Sequence, residues 1–283
     1  MKKRITTLLL TLPTVLLAAK SPTVTVTTHN ADDNSLVFNA SVSGYGSYTV
    51  RITMQDIKGS TLDAPLTITT TTTSDGGEIF SIPAADTSIP VTAAYSYDWL
   101  NGIINAAPTD ITYRLPIAAG ERTTPHVITP IEAGMPNGNF VSFCVWALET
   151  APNAEIYAMR RGTVIAIDGT ESSAGSAAIT VEHPDGTQAR YAGLRAGSLT
   201  VAQGEEVTPE TVIGLAGTAM NGSNGIQISV YRYATNRNTA IFPHMMAQTE
   251  FINPAFMTSR GTRQLQDGAT VKARITKRML KAE

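Results

Sequence analysis

Residues 178–194 read Ala178-Ile179-Thr180-Val181-Glu182-His183-Pro184-Asp185-Gly186-Thr187-Gln188-Ala189-Arg190-Tyr191-Ala192-Gly193-Leu194. Apolar and β-branched residues flank a Pro-Asp-Gly triplet. Proline presets the turn dihedral, aspartate bonds its own backbone two residues on, and glycine accepts a positive φ. The stretch therefore predicts two strands joined by a hairpin turn. The pattern continues on both sides. Upstream, Gly162 to Asp168 reads as another strand. Downstream, Val201, Val207 and Val212-Ile213 are spaced as short strands around Gly204 and Pro209. Gly214 and Gly217 close a strand before the loop Asn221-Gly222-Ser223-Asn224-Gly225, and Ile226 to Arg232 is strand again. Short strands joined by such turns make a compact, barrel-like β core.

The first half is also strand-rich. Tyr48-Thr49-Val50-Arg51-Ile52-Thr53-Met54 alternates apolar and polar. Side chains alternate faces along a strand, so Tyr48, Val50, Ile52 and Met54 are expected inward. Leu36, Phe38, Ala40 and Val42 repeat the pattern, as do Val91, Ala93, Tyr95 and Tyr97. Turn-forming clusters separate these runs, among them Ser74-Asp75-Gly76-Gly77 and Asn101-Gly102. Such spacing predicts an immunoglobulin-like sandwich over 22–113. The threonine run Thr69 to Thr73 reads as an exposed edge strand. The expected class is all-β: an immunoglobulin-like β-sandwich, a linker and entry segment over 114–140, then a β-barrel-like domain over 141–257.

The two ends carry other signals. Lys2, Lys3 and Arg4 precede an apolar run from Ile5 to Ala19. That is the pattern of a secretory signal peptide over 1–19, with an uncleaved anchor as the alternative. No comparable apolar stretch follows, so a periplasmic or secreted chain without a membrane span after cleavage is expected. Residues 258–283 form a basic tail, read either as an attraction to an acidic surface or as a frayed, solvated terminus.

Composition narrows the function. The chain has 283 residues, 42% hydrophobic and 16% charged, enough for a packed core in two domains. Twenty-one basic and 23 acidic residues give a net charge of -2, without the basic excess of a nucleic-acid binder. The single cysteine, Cys144, cannot form an internal disulfide and excludes zinc sites built from paired cysteines. It lies in an apolar run, where thiols are buried and inert. Gly222-Ser223-Asn224-Gly225 has the wrong spacing for a nucleophile elbow. Only four histidines are present: His29, His126, His183 and His244.

In chain order, Gly162-Thr163-Val164-Ile165, Ala178 to Gly186, Tyr191-Ala192-Gly193-Leu194, Val201 to Val207 and Val212 to Gly217 resemble the lysostaphin-type zinc endopeptidases of peptidoglycan, which carry the duplicated hybrid motif fold. Tyr113-Arg114-Leu115-Pro116 and the β-domain before it are similar to a two-domain bacterial branch of that family. The resemblance implies one zinc held by a histidine, an aspartate and the second histidine of a His-x-His pair, with a water in the fourth position. It also implies two further histidines that stabilise the tetrahedral intermediate.

Laid on those positions, the sequence lacks every one. Ala147 stands at the aspartate position, and no histidine lies between His126 and His183. Gly193 replaces the histidine of Tyr-Ala-His-Leu, while Gly225 and Gln227 replace the His-x-His pair. Neither alanine nor glycine has a ligating atom, and an amide is a poor zinc ligand. The expectation is a degenerate member with no catalytic residues, no metal and no cofactor. It would bind peptidoglycan or a cell-wall hydrolase in the surviving groove. Trp146, Tyr191 and Tyr231 are the candidate groove residues, with core packing as the alternative for Trp146 and Tyr231. Two other classes stay open: an active metalloendopeptidase with an unrecognised metal set, and a structural or adhesive β-protein.

Overall fold

The computed structural model describes residues 21–128, 144–169, 175–237 and 246–276. The expected signal peptide therefore lies outside the described residues. All regular structure among the described residues is β-strand.

The first unit holds β1 (Thr23–Asn30), β2 (Leu36–Ser43), β3 (Ser47–Lys58), β4 (Leu66–Thr73), β5 (Gly77–Ile82) and β6 (Thr92–Asn101). They form two antiparallel sheets, ordered β1-β2-β5 and β4-β3-β6. First, second and fifth strands share one sheet and third and sixth the other, as in an immunoglobulin-like sandwich, but the fourth strand joins the third instead of lying beside the fifth. Tyr48, Val50, Ile52 and Met54 are fully buried, as their alternation requires. Phe38 from the facing sheet meets Tyr95 edge-on, with ring centroids 5.1 Å apart. Tyr97 departs from expectation. It is 37% exposed, because β6 is an edge strand with no neighbour to cover its rim. The threonine run forms edge strand β4, where Thr67, Thr69, Thr71 and Thr73 face solvent.

The second unit begins with short strands β7 (Tyr113–Arg114), β8 (Arg122–Thr123) and β9 (Pro125–Ile128). Next come β10 (Val145–Glu149), β11 (Glu155–Tyr157), β12 (Gly162–Asp168), β13 (Ser176–Glu182), β14 (Gln188–Arg195), β15 (Glu206–Val207), β16 (Val212–Leu215), β17 (Gly217–Thr218) and β18 (Asn224–Thr235). The chain closes with β19 (Ala247–Ile252), β20 (Phe256–Thr258), β21 (Gly261–Arg263) and β22 (Val271–Lys272). The main sheet runs β15-β12-β13-β14-β18-β10-β9, with β17 and β19 also paired to β18. β13 and β14 are the predicted hairpin around Pro184-Asp185-Gly186. Beneath the sheet lies one apolar core that includes Leu148, Ile156, Ile179, Tyr191, Ile226 and Phe256, each fully buried. Burying a side chain of this size stabilises by roughly 1.5–3 kcal/mol.

The predicted linker and the predicted basic tail both contribute to this unit. Leu115 and Ile117, from the predicted linker, are core residues, and β7 pairs in parallel with β20. The predicted basic tail falls within the described residues up to Thr276. It supplies β21 and β22, while Leu265 and Ala273 enter the core. Charge alone suggested a solvated terminus; apolar residues interleaved among the charges dock it instead.

Buried polar groups tie the unit together. The Arg114 guanidinium donates to the carbonyls of Pro209, Ile117 (3.1 Å) and Leu115 (3.3 Å), and stacks 3.7 Å over the Tyr157 ring. Arg160 pairs with Asp185 at 2.7 Å, with both side chains almost wholly buried. Asp185 also accepts from the backbone and hydroxyl of both Thr109 and Thr187. Burial alone would raise its pKa, but these donors and Arg160 hold the carboxyl far below the usual range.

Candidate functional site

β14, β18, β10 and β9 run side by side, and residues directly opposed in antiparallel strands share a face. The register sets Ala192, Gln227, Ala147 and His126 in one row across the sheet. The next row is Arg190, Ser229, Val145 and Ile128. Ala192 and Gln227 of the first row and all four residues of the second line a groove of about 500 Å³. It continues along β18 to Tyr231 and Tyr233, and across to Thr249 and Phe251 on β19. Met220 stands in the lining from the loop before β18 and is 68% exposed.

Alternation explains which predicted residues reach this groove. Gln227 and Tyr231 are two strand steps apart on the same face, and both line it. Ala147 occupies the same row as Gln227 and is fully buried. Trp146 and Tyr191 are displaced from expectation. Each is one residue away in sequence from a groove-face position, so each points to the other face, opposite Ile228 in the core. The Tyr191 hydroxyl is committed there, accepting from Met159 N–H at 2.7 Å. Burial pushes its phenol well above the usual range.

The two glycines are closed positions as well as substitutions. Gly193 has φ +76°, and an added Cβ would lie 2.6 Å from the Thr218 carbonyl oxygen. Gly225 has φ +153°, and its Cβ would strike the Leu148 carbonyl on the neighbouring strand. Side chains are rare in such dihedrals, and real Cβ atoms do not approach backbone so closely. A histidine at either place requires the backbone to move. With Ala147 and Gln227 completing the set, these residues do not fit a zinc ion.

The remaining ionisable groups are engaged nearby or elsewhere. Arg190 donates to Asp168 (2.9 Å) and to the Thr180 hydroxyl (3.4 Å). His126, at the outer end of the row, lies 3.3 Å from Glu149 and 3.8 Å from Asp267. Among the described residues no group of three or more His, Cys, Asp or Glu is arranged to hold a metal ion. His29 is exposed and bonded to Asn39. His183 is buried, with Nδ1 2.8 Å from the Arg161 carbonyl; burial first of all lowers its pKa to about 4. His244 lies outside the described residues. Cys144 is half-buried, and burial raises its thiol pKa.

The groove's walls are aromatic. Tyr231 packs against Tyr233 (centroids 5.9 Å) and Phe251 (6.1 Å). Burial, the larger effect, pushes the Tyr231 phenol upward, so it stays neutral and hydrogen-bond competent. Arg190, Met220, Tyr233 and Phe251 were not singled out in sequence. Counting by twos from Gln227 reaches Ser229 and Tyr231 within Ile226 to Arg232, and Tyr233 one residue beyond it, a usable signal. Phe251 arrives through the β18–β19 pairing and has no local signal.

Part of the sequence that builds this groove is similar to a known family. Residues 146–240 match the model of peptidase family M23. The matched residues include the groove residues of β14 and β18, while Ile128, Val145, Thr249 and Phe251 lie outside them. No curated protein matches the chain. Solved structures that are similar include the SpoIIQ–SpoIIIAH pore-forming complex, with 15% identity, covering 50% of this chain and 89% of that one at a TM-score of 0.30. Csd3 of Helicobacter pylori shows 9% identity over 73% of this chain and 72% of its own, at a TM-score of 0.31. A zinc-containing peptidase of Vibrio cholerae shows 16% identity over 72% and 81%, at a TM-score of 0.28.

Proposed function

We propose that this chain is an exported, non-catalytic relative of the zinc peptidoglycan endopeptidases, acting as a cell-wall binding or hydrolase-regulating module. The observation that carries the reading is the closed row. Gly193 and Gly225 leave no room for a side chain, and Ala147 and Gln227 beside them offer no metal ligand. The frame persists around that row as an open groove with a neutral, aromatic and amide lining and one cation, Arg190. Such a surface holds an extended polymer or polypeptide by ring contact and hydrogen bonds. A leader-like pattern over residues 1–19 supports an exported chain, periplasmic or secreted, and the division into sandwich, linker and peptidase-like region is part of the same proposal.

The test is retention of the purified chain on isolated sacculi and on immobilised amidase-type hydrolases, with Tyr231→Ala as control. Retention on either, reduced in the variant, is expected. Loss of both interactions in the native chain contradicts the reading. Chelator-sensitive lysis of the sacculi would establish the alternative, an active metalloendopeptidase.

A further inference from the structure

The two units meet along a seam built on glycines. Gly46, in the turn between β2 and β3, lies against Ile165 of β12; an added Cβ would be 2.5 Å from its methyl group and 3.4 Å from the Glu182 carboxylate. The Tyr45 ring covers Gly204 so closely that no Cβ could fit there. Gly102, just past β6, rests on the Tyr233 ring (2.6 Å from an added Cβ) and on the Gln188 amide (2.9 Å). Gln188 Nε2 donates to the Asn101 carbonyl (3.1 Å), and Thr49 Oγ1 donates to the Gly102 carbonyl (2.7 Å).

Glu182, at the end of β13, is sealed inside this seam at 8% exposure. One carboxylate oxygen accepts from Ser47 N–H of the sandwich at 3.0 Å. The other, Oε2, is buried with no hydrogen-bond partner among the described residues, and so is Asn101 Oδ1 in the same seam. An ionised carboxylate is an acceptor only, and a buried lone charge is costly. A protonated carboxyl carries no charge and gains a donor. The titratable group facing Glu182 from β3 is Tyr48, whose phenol is pushed up first by burial and then by Glu182 itself. Charged residues on the flanking strands are engaged elsewhere: Arg161 with Glu206 (3.3 Å) and Arg190 with Asp168 (2.9 Å). His183, next in sequence, turns its ring to the Arg161 carbonyl and Tyr113, inside the second unit.

We propose that Glu182 is a proton-operated latch between the sandwich and the peptidase-like unit, holding them together when protonated and releasing them when ionised. The inference does not depend on the binding role proposed above. Release would act on the groove, since the seam residue Gly102 backs Tyr233, one of its walls. The sign follows from linkage. Burial, opposed by the Ser47 and Gln188 contacts, raises the Glu182 pKa in the docked form. Docking therefore takes up a proton, and the docked form is favoured as pH falls.

The experiment is small-angle scattering of the full chain between about pH 8 and about pH 4, on either side of the ordinary carboxylate value. The docked-to-open ratio is expected to rise as pH falls, by up to about tenfold per pH unit, the limit for one proton. Glu182→Gln, neutral at every pH, stays compact throughout with a flat profile. Gly204→Leu, which wedges Tyr45 away, is open throughout and supplies the open reference. Trp99 and Trp146, one in each unit, report by fluorescence that both units remain folded. Equal dimensions of the native chain across the range overturn the proposal, as does a Glu182→Gln profile that keeps the native pH dependence.

Discussion

The groove floor and the polar core beneath the hairpin turn belong to one sheet, and chemistry has been treated oppositely in the two. Around Asp185 every strong group is kept and bonded: Arg160, Thr109 and Thr187 converge on one carboxylate, and Arg114 nearby donates to carbonyls. Across the row Ala192, Gln227, Ala147 no ionisable side chain remains short of His126 at its outer end. Strand pairing and buried polar contacts such as those around Asp185 hold the frame without an ionisable group at Ala192, Gln227 or Ala147.

The comparison breaks most visibly at the polar core. Asp185→Ala leaves Arg160 buried without its partner and should cost about 3–5 kcal/mol. Urea unfolding checks this, and a loss no larger than at an exposed residue would show that the cluster is dispensable. His183 gives the next effect, on the order of 3 kcal/mol. Its pKa is lowered to about 4 in the folded chain, so the folded state binds fewer protons than the unfolded state. Its contribution is present above the unfolded value of 6.5 and is lost as pH falls toward 4. His183→Asn should flatten that limb of a stability–pH profile.

The groove row should respond less, and unevenly. Gly225→His restores a family residue but meets the Leu148 carbonyl and a positive φ, so it should destabilise by about 1–3 kcal/mol without creating zinc affinity. Gln227→His, half-buried at the groove face, should change stability by less than about 1 kcal/mol. Equal costs at the two positions would mean that Gly225 is not closed.

Much of this was legible because strands announce themselves by period two. Tyr48 to Met54 and Ala178 to Leu194 fixed both units and the hairpin. The assignment of Ala147, Gly193, Gly225 and Gln227 to the family's functional positions rests on the resemblance alone. Trp146 and Tyr191 went wrong by a single strand step: in a β-strand the neighbour of a groove residue faces the core, and choosing an aromatic by proximity ignores that. The C-terminal segment was misread because charge density concealed Leu265, Val271 and Ala273, whose burial depends on strands over a hundred residues earlier. The Glu182 seam had no sequence signal, since it exists only where segments over a hundred residues apart, such as Ser47 and Glu182, meet.

Zinc content of the purified full-length chain, measured together with chelator-sensitive lysis of sacculi, bears most directly on the vacant row. Substoichiometric zinc and no lysis are predicted. One tightly held zinc per chain, with lysis that a chelator abolishes, would contradict the account.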